Sequence, residues 1–183
     1  MRLILAVSAD GHLARGPEDD MSWTGLTDKR LFRLLTLVGS VCVAGSRTWL
    51  QMPKLGGRLV LPLSREHGRV LDHPDGRQEA AMSLGKAFYR FPDAWLLGGP
   101  TVAMEALEAN LVDQVYLCRA ENAVLHEAQA AFQPDPAYRD VVSPWLMSRG
   151  EAGNAGTPWA RRQRIQFDGT TVDVWSRRDA CRP

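Results

Sequence analysis

The chain is poor in cysteine, and its cysteines form no pattern. Cys42, Cys118 and Cys181 are odd in number and share no CxxC spacing. That argues against a disulfide framework or a zinc knuckle and fits reduced thiols in a cytoplasmic protein. A charge excess is also missing. The formal net charge is +1, whereas a dedicated nucleic-acid binder needs a strong basic surplus. The run Arg161, Arg162 and Arg164 is local and reads as a solvated loop. The N-terminal apolar stretch Leu3 to Val7 is too short for a signal peptide or a membrane span. His12, His67, His73 and His126 show no metal-ligand spacing, so no metal is expected. There is no internal repeat, no low-complexity tract and no GxGxxG, which removes a standard Rossmann fingerprint.

The 183 residues, 45 % of them hydrophobic and 23 % charged, suffice for one soluble domain with a substantial core. We place that domain at residues 1–178, with 179–183 as a tail. Short apolar runs alternate with helical patterns. Strands are predicted at Leu3 to Val7, Val41 to Ala44, Leu59 to Leu61 (broken at Pro62), Trp95 to Leu97 and Val115 to Cys118. Helices are predicted at Leu26 to Leu37, Ser46 to about Gln51, Glu79 to Phe88 and Thr101 to Ala109. Such alternation implies an α/β fold with a mostly parallel central sheet flanked by helices. Two further β-like stretches, about Arg139 to Met147 and Ile165 to Trp175, predict an antiparallel C-terminal hairpin at the sheet edge. Segments 66–77 and 120–136 read as surface loops.

Asp28 is the most informative single residue. It falls in the first turn of the helix over Leu26 to Leu37, where Phe32 and Leu35 share its face and Leu31 and Leu34 flank it. A carboxylate at the edge of an apolar wall is unfavourable unless it is paired, hydrogen-bonded or used. One acid in such a pocket can hold or relay a proton.

Three strand ends carry residues suited to phosphate. Gly45-Ser46-Arg47-Thr48 follows the second strand, at a helix N-terminus with free N–H groups. Arg47 adds a fork of donors and Thr48 a hydroxyl. Gly98-Gly99-Pro100-Thr101 follows Trp95 to Leu97; its glycines admit a close ligand, and Pro100 suits a first helical turn. Pro62-Leu63-Ser64-Arg65 adds a hydroxyl and a guanidinium. Each alone reads as an ordinary turn. Together they lie at the carboxyl ends of parallel strands, where open sheets bind ligands. Arg58, after Gly56-Gly57, could clamp a carboxylate bidentately or be a plain surface cation. Cys118 reads as a core thiol.

Taken together these segments resemble dihydrofolate reductase over most of the chain. Ala6 and Asp10-Gly11 sit where that family ends its first strand. Met21-Ser22-Trp23, Asp28 and Phe32 resemble its mobile active-site loop, its tryptophan, its catalytic acid and its pterin-stacking phenylalanine. Gly45-Ser46-Arg47-Thr48-Trp49 is similar to the family's phosphate turn, and Leu55-Gly56-Gly57-Arg58 to the segment whose arginine holds the folate carboxylate. Leu63-Ser64-Arg65 resembles the segment that meets the 2′-phosphate, and Leu97-Gly98-Gly99 the glycine pair beside the nicotinamide. The resemblance implies hydride transfer from NADPH to dihydrofolate in a cytoplasmic monomer. Asp28 would promote protonation of N5 while Trp23 and Met21 shield the site. Ala6, Phe32, Met52, Arg58, Leu97 and Cys118 would contact substrate. Gly45, Ser46, Arg47, Thr48, Leu63, Ser64, Arg65, Gly98, Gly99, Pro100 and Thr101 would contact the cofactor.

Some positions depart from the family pattern. Cys118 stands where a threonine hydroxyl supports the acid. Ser46 replaces the first arginine of the phosphate turn, and Pro100-Thr101 replaces Gly-Arg. The riboflavin-pathway reductase, which has the same fold, is the rival: Ser8-Ala9-Asp10-Gly11-His12-Leu13-Ala14 and Gly98-Gly99-Pro100 are similar to its motifs. Trp23, Asp28, Phe32 and Arg58 favour the folate reading. A nucleotide-binding protein without turnover is a third alternative.

Overall fold

The computed structural model describes residues 1–16, 19–37, 41–66, 68–125, 138–150 and 158–178. His67, His126, Cys181, the tail at 179–183 and most of the expected loops at 120–136 and 150–158 lie outside those residues. The central sheet has seven strands in the order β3-β2-β6-β1-β7-β9-β8. These are β1 (Arg2–Ser8), β2 (Val41–Gly45), β3 (Leu59–Leu63), β6 (Trp95–Leu96), β7 (Gln114–Ala120), β8 (Trp159–Phe167) and β9 (Thr170–Arg177). Strands β3, β2, β6, β1 and β7 run parallel, while β9 is antiparallel to β7 and β8 to β9. The mostly parallel sheet with a C-terminal hairpin is therefore present.

Strand β1 is apolar from Leu3 to Val7 because it is buried on both faces. Leu3, Leu5 and Val7 join one core cluster and Ile4 the other. The first cluster takes side chains from α3 (Leu84–Arg90), α4 (Pro100–Glu108) and α5 (Val142–Gly150). The second takes them from α1 (Gly25–Leu37) and α2 (Ser46–Gln51). Register fixes which side chains meet: Ala6 lies opposite Cys118 on β7.

Four expectations need correction. Pro62 does not break its strand, because β3 is an edge strand and Pro62 needs no ladder donor on its outer side. Segment 79–88 is not one helix. Gln78–Ala80 forms β5, which pairs with β4 (Val70–Asp72) inside the segment expected to be a loop, and α3 starts only at Leu84. Ser83 sets that start by accepting a hydrogen bond from the Lys86 amide at 3.2 Å. Stretch 139–147 is helical from Val142 on, and of the expected strand only Arg139 makes an isolated bridge, to His12. The Asp140 Oδ1 accepts from the amides of Val142 and Ser143 at 3.0 Å each, and Pro144 is tolerated in the first turn. The hairpin accordingly forms from Trp159 onward, turning at Asp168-Gly169, both at positive φ.

Replacing Asp140 by alanine strips two buried amides of their acceptor while leaving Leu146 and Val142 to hold α5 on the core. Urea unfolding is expected to show a loss of about 1–2 kcal/mol. An unchanged midpoint would show that the cap does not define this helix.

Candidate active site

Asp28 is 8 % exposed and sits at the first turn of α1. Burial pushes its pKa up, and the Thr24 hydroxyl, the Cys118 thiol and the Lys29 charge partly offset that rise. Cys118 faces it from β7. Its own pKa is driven up by burial and by the neighbouring carboxyl, so the thiol stays neutral. Leu97 and Cys118 belong to one buried apolar cluster, with Leu31, Phe32, Leu35 and Met52 packed against it. Ala6 is in register with Cys118. Of the flanking leucines, Leu34 is 67 % exposed and does not join the wall.

A second carboxylate, unforeseen in the sequence, organises the segment before α1. Asp19 has a side chain only 1 % exposed. Its oxygens accept from the Arg15 amide at 2.5 Å, the Met21 amide at 2.9 Å and the Trp23 indole Nε1 at 2.9 Å. Trp23 is thereby tied to Asp19 and not to Asp28. Met21 has a φ of 56°, a left-handed conformation that a non-glycine residue holds only when its surroundings fix it. Thr24 supplies part of that fixing through Oγ1, which donates to the Met21 carbonyl at 3.1 Å.

Arg58 lies across from α1. Its Nη1 donates to Thr36 Oγ1 at 2.8 Å, its Nε to the Gly56 carbonyl at 3.4 Å, and its guanidinium carbon is 5.5 Å from the Phe32 ring centre. Thr36 is fully buried and donates to the Phe32 carbonyl at 2.7 Å. The guanidinium is therefore aimed by a hydroxyl on α1 and held beside Phe32, which the bare sequence spacing did not disclose. The Met52 carbonyl is likewise fixed by distant groups, accepting from Arg77 Nη2 at 2.8 Å and lying 3.1 Å from His73 Nε2.

The three strand-end segments converge on one cleft of about 800 Å³. It is lined by Gly45 to Thr48, by Leu63 to Arg65 and by Gly99 to Thr101, together with Glu66, Glu105 and Tyr138. Gly98 borders it, and its carbonyl accepts from the Gly45 amide at 2.8 Å across a cis Gly98–Gly99 peptide. At Gly98, with φ of 88°, a Cβ would come within 2.9 Å of Leu5 Cδ2, and at Gly99 one would meet Thr48 Oγ1 at 3.3 Å. Glycine keeps this passage open. Arg65 is 84 % exposed and 4.0 Å from Glu105, so that ion pair is weak and screened. Arg47, Arg65, the hydroxyls of Ser46, Thr48, Ser64 and Thr101, and close backbone suit a dinucleotide with phosphates.

No protein-family model matches the chain, and no curated protein sequence matches it either. Among solved structures it is similar to dihydrofolate reductase from Enterococcus faecalis complexed with NADP(H) and RAB-propyl. The TM-score is 0.64 at 16 % identity, with 97 % of this chain and 96 % of that one covered. The chain has a dihydrofolate-reductase-like α/β fold.

Proposed function

We propose that the protein is an NADPH-dependent reductase that converts dihydrofolate to tetrahydrofolate. The observation that carries this reading is the carboxyl of Asp28, buried on an apolar wall that Phe32 shares, with the Arg58 guanidinium 5.5 Å from the Phe32 ring centre. A planar heterocycle with a charged tail matches that order of groups: a hydrogen-bonding acid, an aromatic face, then a guanidinium fork. The solved neighbour's complex with NADP(H) and the phosphate-suited cleft support a nicotinamide dinucleotide as the partner substrate.

NADPH, when bound, supplies the hydride. Arg47, Ser64, Arg65 and Thr101 would hold its phosphates, with Gly45 and Gly99 allowing close backbone approach. Asp28 holds the pterin amino group and N3 and promotes protonation of N5, directly or through water. Its raised pKa keeps more of the acid protonated near neutrality than an ordinary carboxyl would be. Phe32 stacks on the ring and Arg58 takes the glutamate carboxylate. Trp23 and Met21 limit water access to the Asp28 carboxyl.

Loss of reduced-nicotinamide absorbance with dihydrofolate tests the reading. Asp28→Asn should lower kcat/KM by about 10²-fold or more. In the wild type, activity should decline as pH rises through the folded-state pKa of Asp28, because the protonated acid is then depleted. Absence of dihydrofolate-dependent turnover in the wild type sinks the proposal, and turnover with a ribosylamino-pyrimidine phosphate would favour the riboflavin-pathway reaction. Arg58→Gln should raise KM for dihydrofolate by about 10-fold or more with a smaller change in kcat. A KM unchanged by that substitution removes Arg58 from the substrate site.

Asp28 also sets a stability expectation. Its folded-state pKa lies above the unfolded 3.8. As pH rises through that interval the unfolded chain ionises first, so stability is lost, and above the folded-state pKa the loss is complete. Asp28→Asn should therefore melt higher than wild type at neutral pH, by about 2–4 °C for each kcal/mol recovered. The difference should close as pH falls below 3.8. A lower melting temperature for the variant at neutral pH contradicts this account of the acid's burial.

A further inference from the structure

The tryptophans of this chain are held in two different ways. Trp145, Trp159 and Trp175 join or pack against one core cluster, and Trp49 and Trp95 join the other. Packing alone suffices there: the buried Nε1 atoms of Trp95 and Trp175 find no hydrogen-bond partner among the described residues. Trp23 belongs to neither cluster and is only half-buried, so apolar contacts do not pin its ring. What holds it is polar. Its Nε1 donates to Asp19 Oδ2 at 2.9 Å.

Asp19 is built for that task. Its side chain is 1 % exposed, and a carboxyl so buried needs donors around it. Oδ2 also accepts from the Arg15 amide at 2.5 Å, Oδ1 accepts from the Met21 amide at 2.9 Å, and Arg15 Nη1 lies 4.0 Å away. These partners come from both sides of Asp19 in the chain, so the carboxyl cannot move without breaking backbone bonds as well. An indole carries one N–H, and here it is committed to this rigid acceptor. Trp23 lies at the centre of the 3-10 turn Ser22–Thr24, whose last residue, Thr24, is 4 % exposed and whose chain runs directly into α1 and Asp28.

We propose that Asp19 is a positioning residue that acts through Trp23, its carboxyl aiming the indole and fixing the turn that leads into the acid-bearing helix. Without it, the indole loses its one anchor while the Met21 amide loses its acceptor at a residue already at a φ of 56°. The catalytic meaning rests on the proposed role of Trp23 in keeping water from Asp28, whereas the anchor itself belongs to the free protein.

Two measurements test this. In the free protein, exchange of the Trp23 indole N–H is followed by NMR, its resonance assigned by its loss in Trp23→Phe. Asp19→Ala should speed that exchange by about 10-fold or more, and unchanged exchange overturns the proposal. In turnover of dihydrofolate, Asp19→Ala should lower kcat by about 10-fold and leave the KM for NADPH within about twofold. That split is expected because Arg15, Asp19 and Met21 to Trp23 are not among the residues lining the cleft. In a Trp23→Phe background, which keeps a ring and removes the indole N–H, the same substitution should cost less than about twofold in kcat. The full loss in that background would mean that Asp19 acts through something other than Trp23, and overturns the proposal. Should the alanine variant fail to fold, Trp23→Phe alone decides: it should itself show most of the loss in kcat, and a wild-type kcat overturns the proposal. Faster indole exchange in Asp19→Ala, together with no dihydrofolate turnover in the wild type, would refute the folate reading alone.

Discussion

Burial of the Asp28 carboxyl is the constraint on which the surrounding structure depends. An acid on the inner face of α1 prevents that helix from closing on the sheet as an ordinary amphipathic helix does. Leu31, Phe32 and Leu35 remain only half-buried, while Leu26 and Leu34 are left 72 % and 67 % exposed. The helix is held instead by polar devices: Thr36 bonded within α1 and to Arg58, and Thr24 and Cys118 around the carboxyl. Each places a donor where an apolar contact would otherwise be expected. A wall with half-exposed aromatic and aliphatic faces and one acid contributes less to the stability of the fold than a closed apolar face would.

The parts legible in the sequence are those whose signals are local. The apolar run Leu3 to Val7, the glycine strand ends and the helix carrying Asp28 all take the expected form, and the three turns meet in one cleft. The errors fall where a non-local partner or a cap overrides the local pattern. Gln78–Ala80 is strand because β4 pairs with it, not because its residues favour strands. Val142–Gly150 is helical because Asp140 satisfies its first amides, against a β-like composition. Asp168-Gly169 is a local hairpin signal, and it splits the stretch Ile165 to Trp175 into the paired strands β8 and β9.

The site shows the same division. Phe32, Met52, Leu97 and Cys118 are brought together by the resemblance to a known family, and the fold packs them around one apolar cluster. Asp19, Thr36 and Arg77 carry no such signal. They act by meeting groups that only the folded chain brings near: Trp23 Nε1, Arg58 Nη1 and the Met52 carbonyl. Cys118 illustrates why a motif departure need not imply lost chemistry. The sheet offers the acid only a neutral thiol, yet the turn preceding α1 brings a buried hydroxyl to the same carboxyl.

The two halves of the proposed site work in different dielectric surroundings, and this decides how specific each can be. Asp28 is desolvated, so a single hydrogen bond to its carboxyl changes its protonation appreciably. Arg65 at the cleft mouth is solvated and already faces Glu105, so an arriving phosphate gains only a screened contact and must compete with that carboxylate. Shape therefore matters more than charge in the cleft. The Gly45 amide bonded to the Gly98 carbonyl, and the absence of side chains at Gly98 and Gly99, fix how closely a dinucleotide can approach the sheet. At the acid the order reverses: in a desolvated setting the polar character of each neighbour counts for more than its shape. Electrostatic selection is thus concentrated at the buried end of the site, and steric selection at the open end.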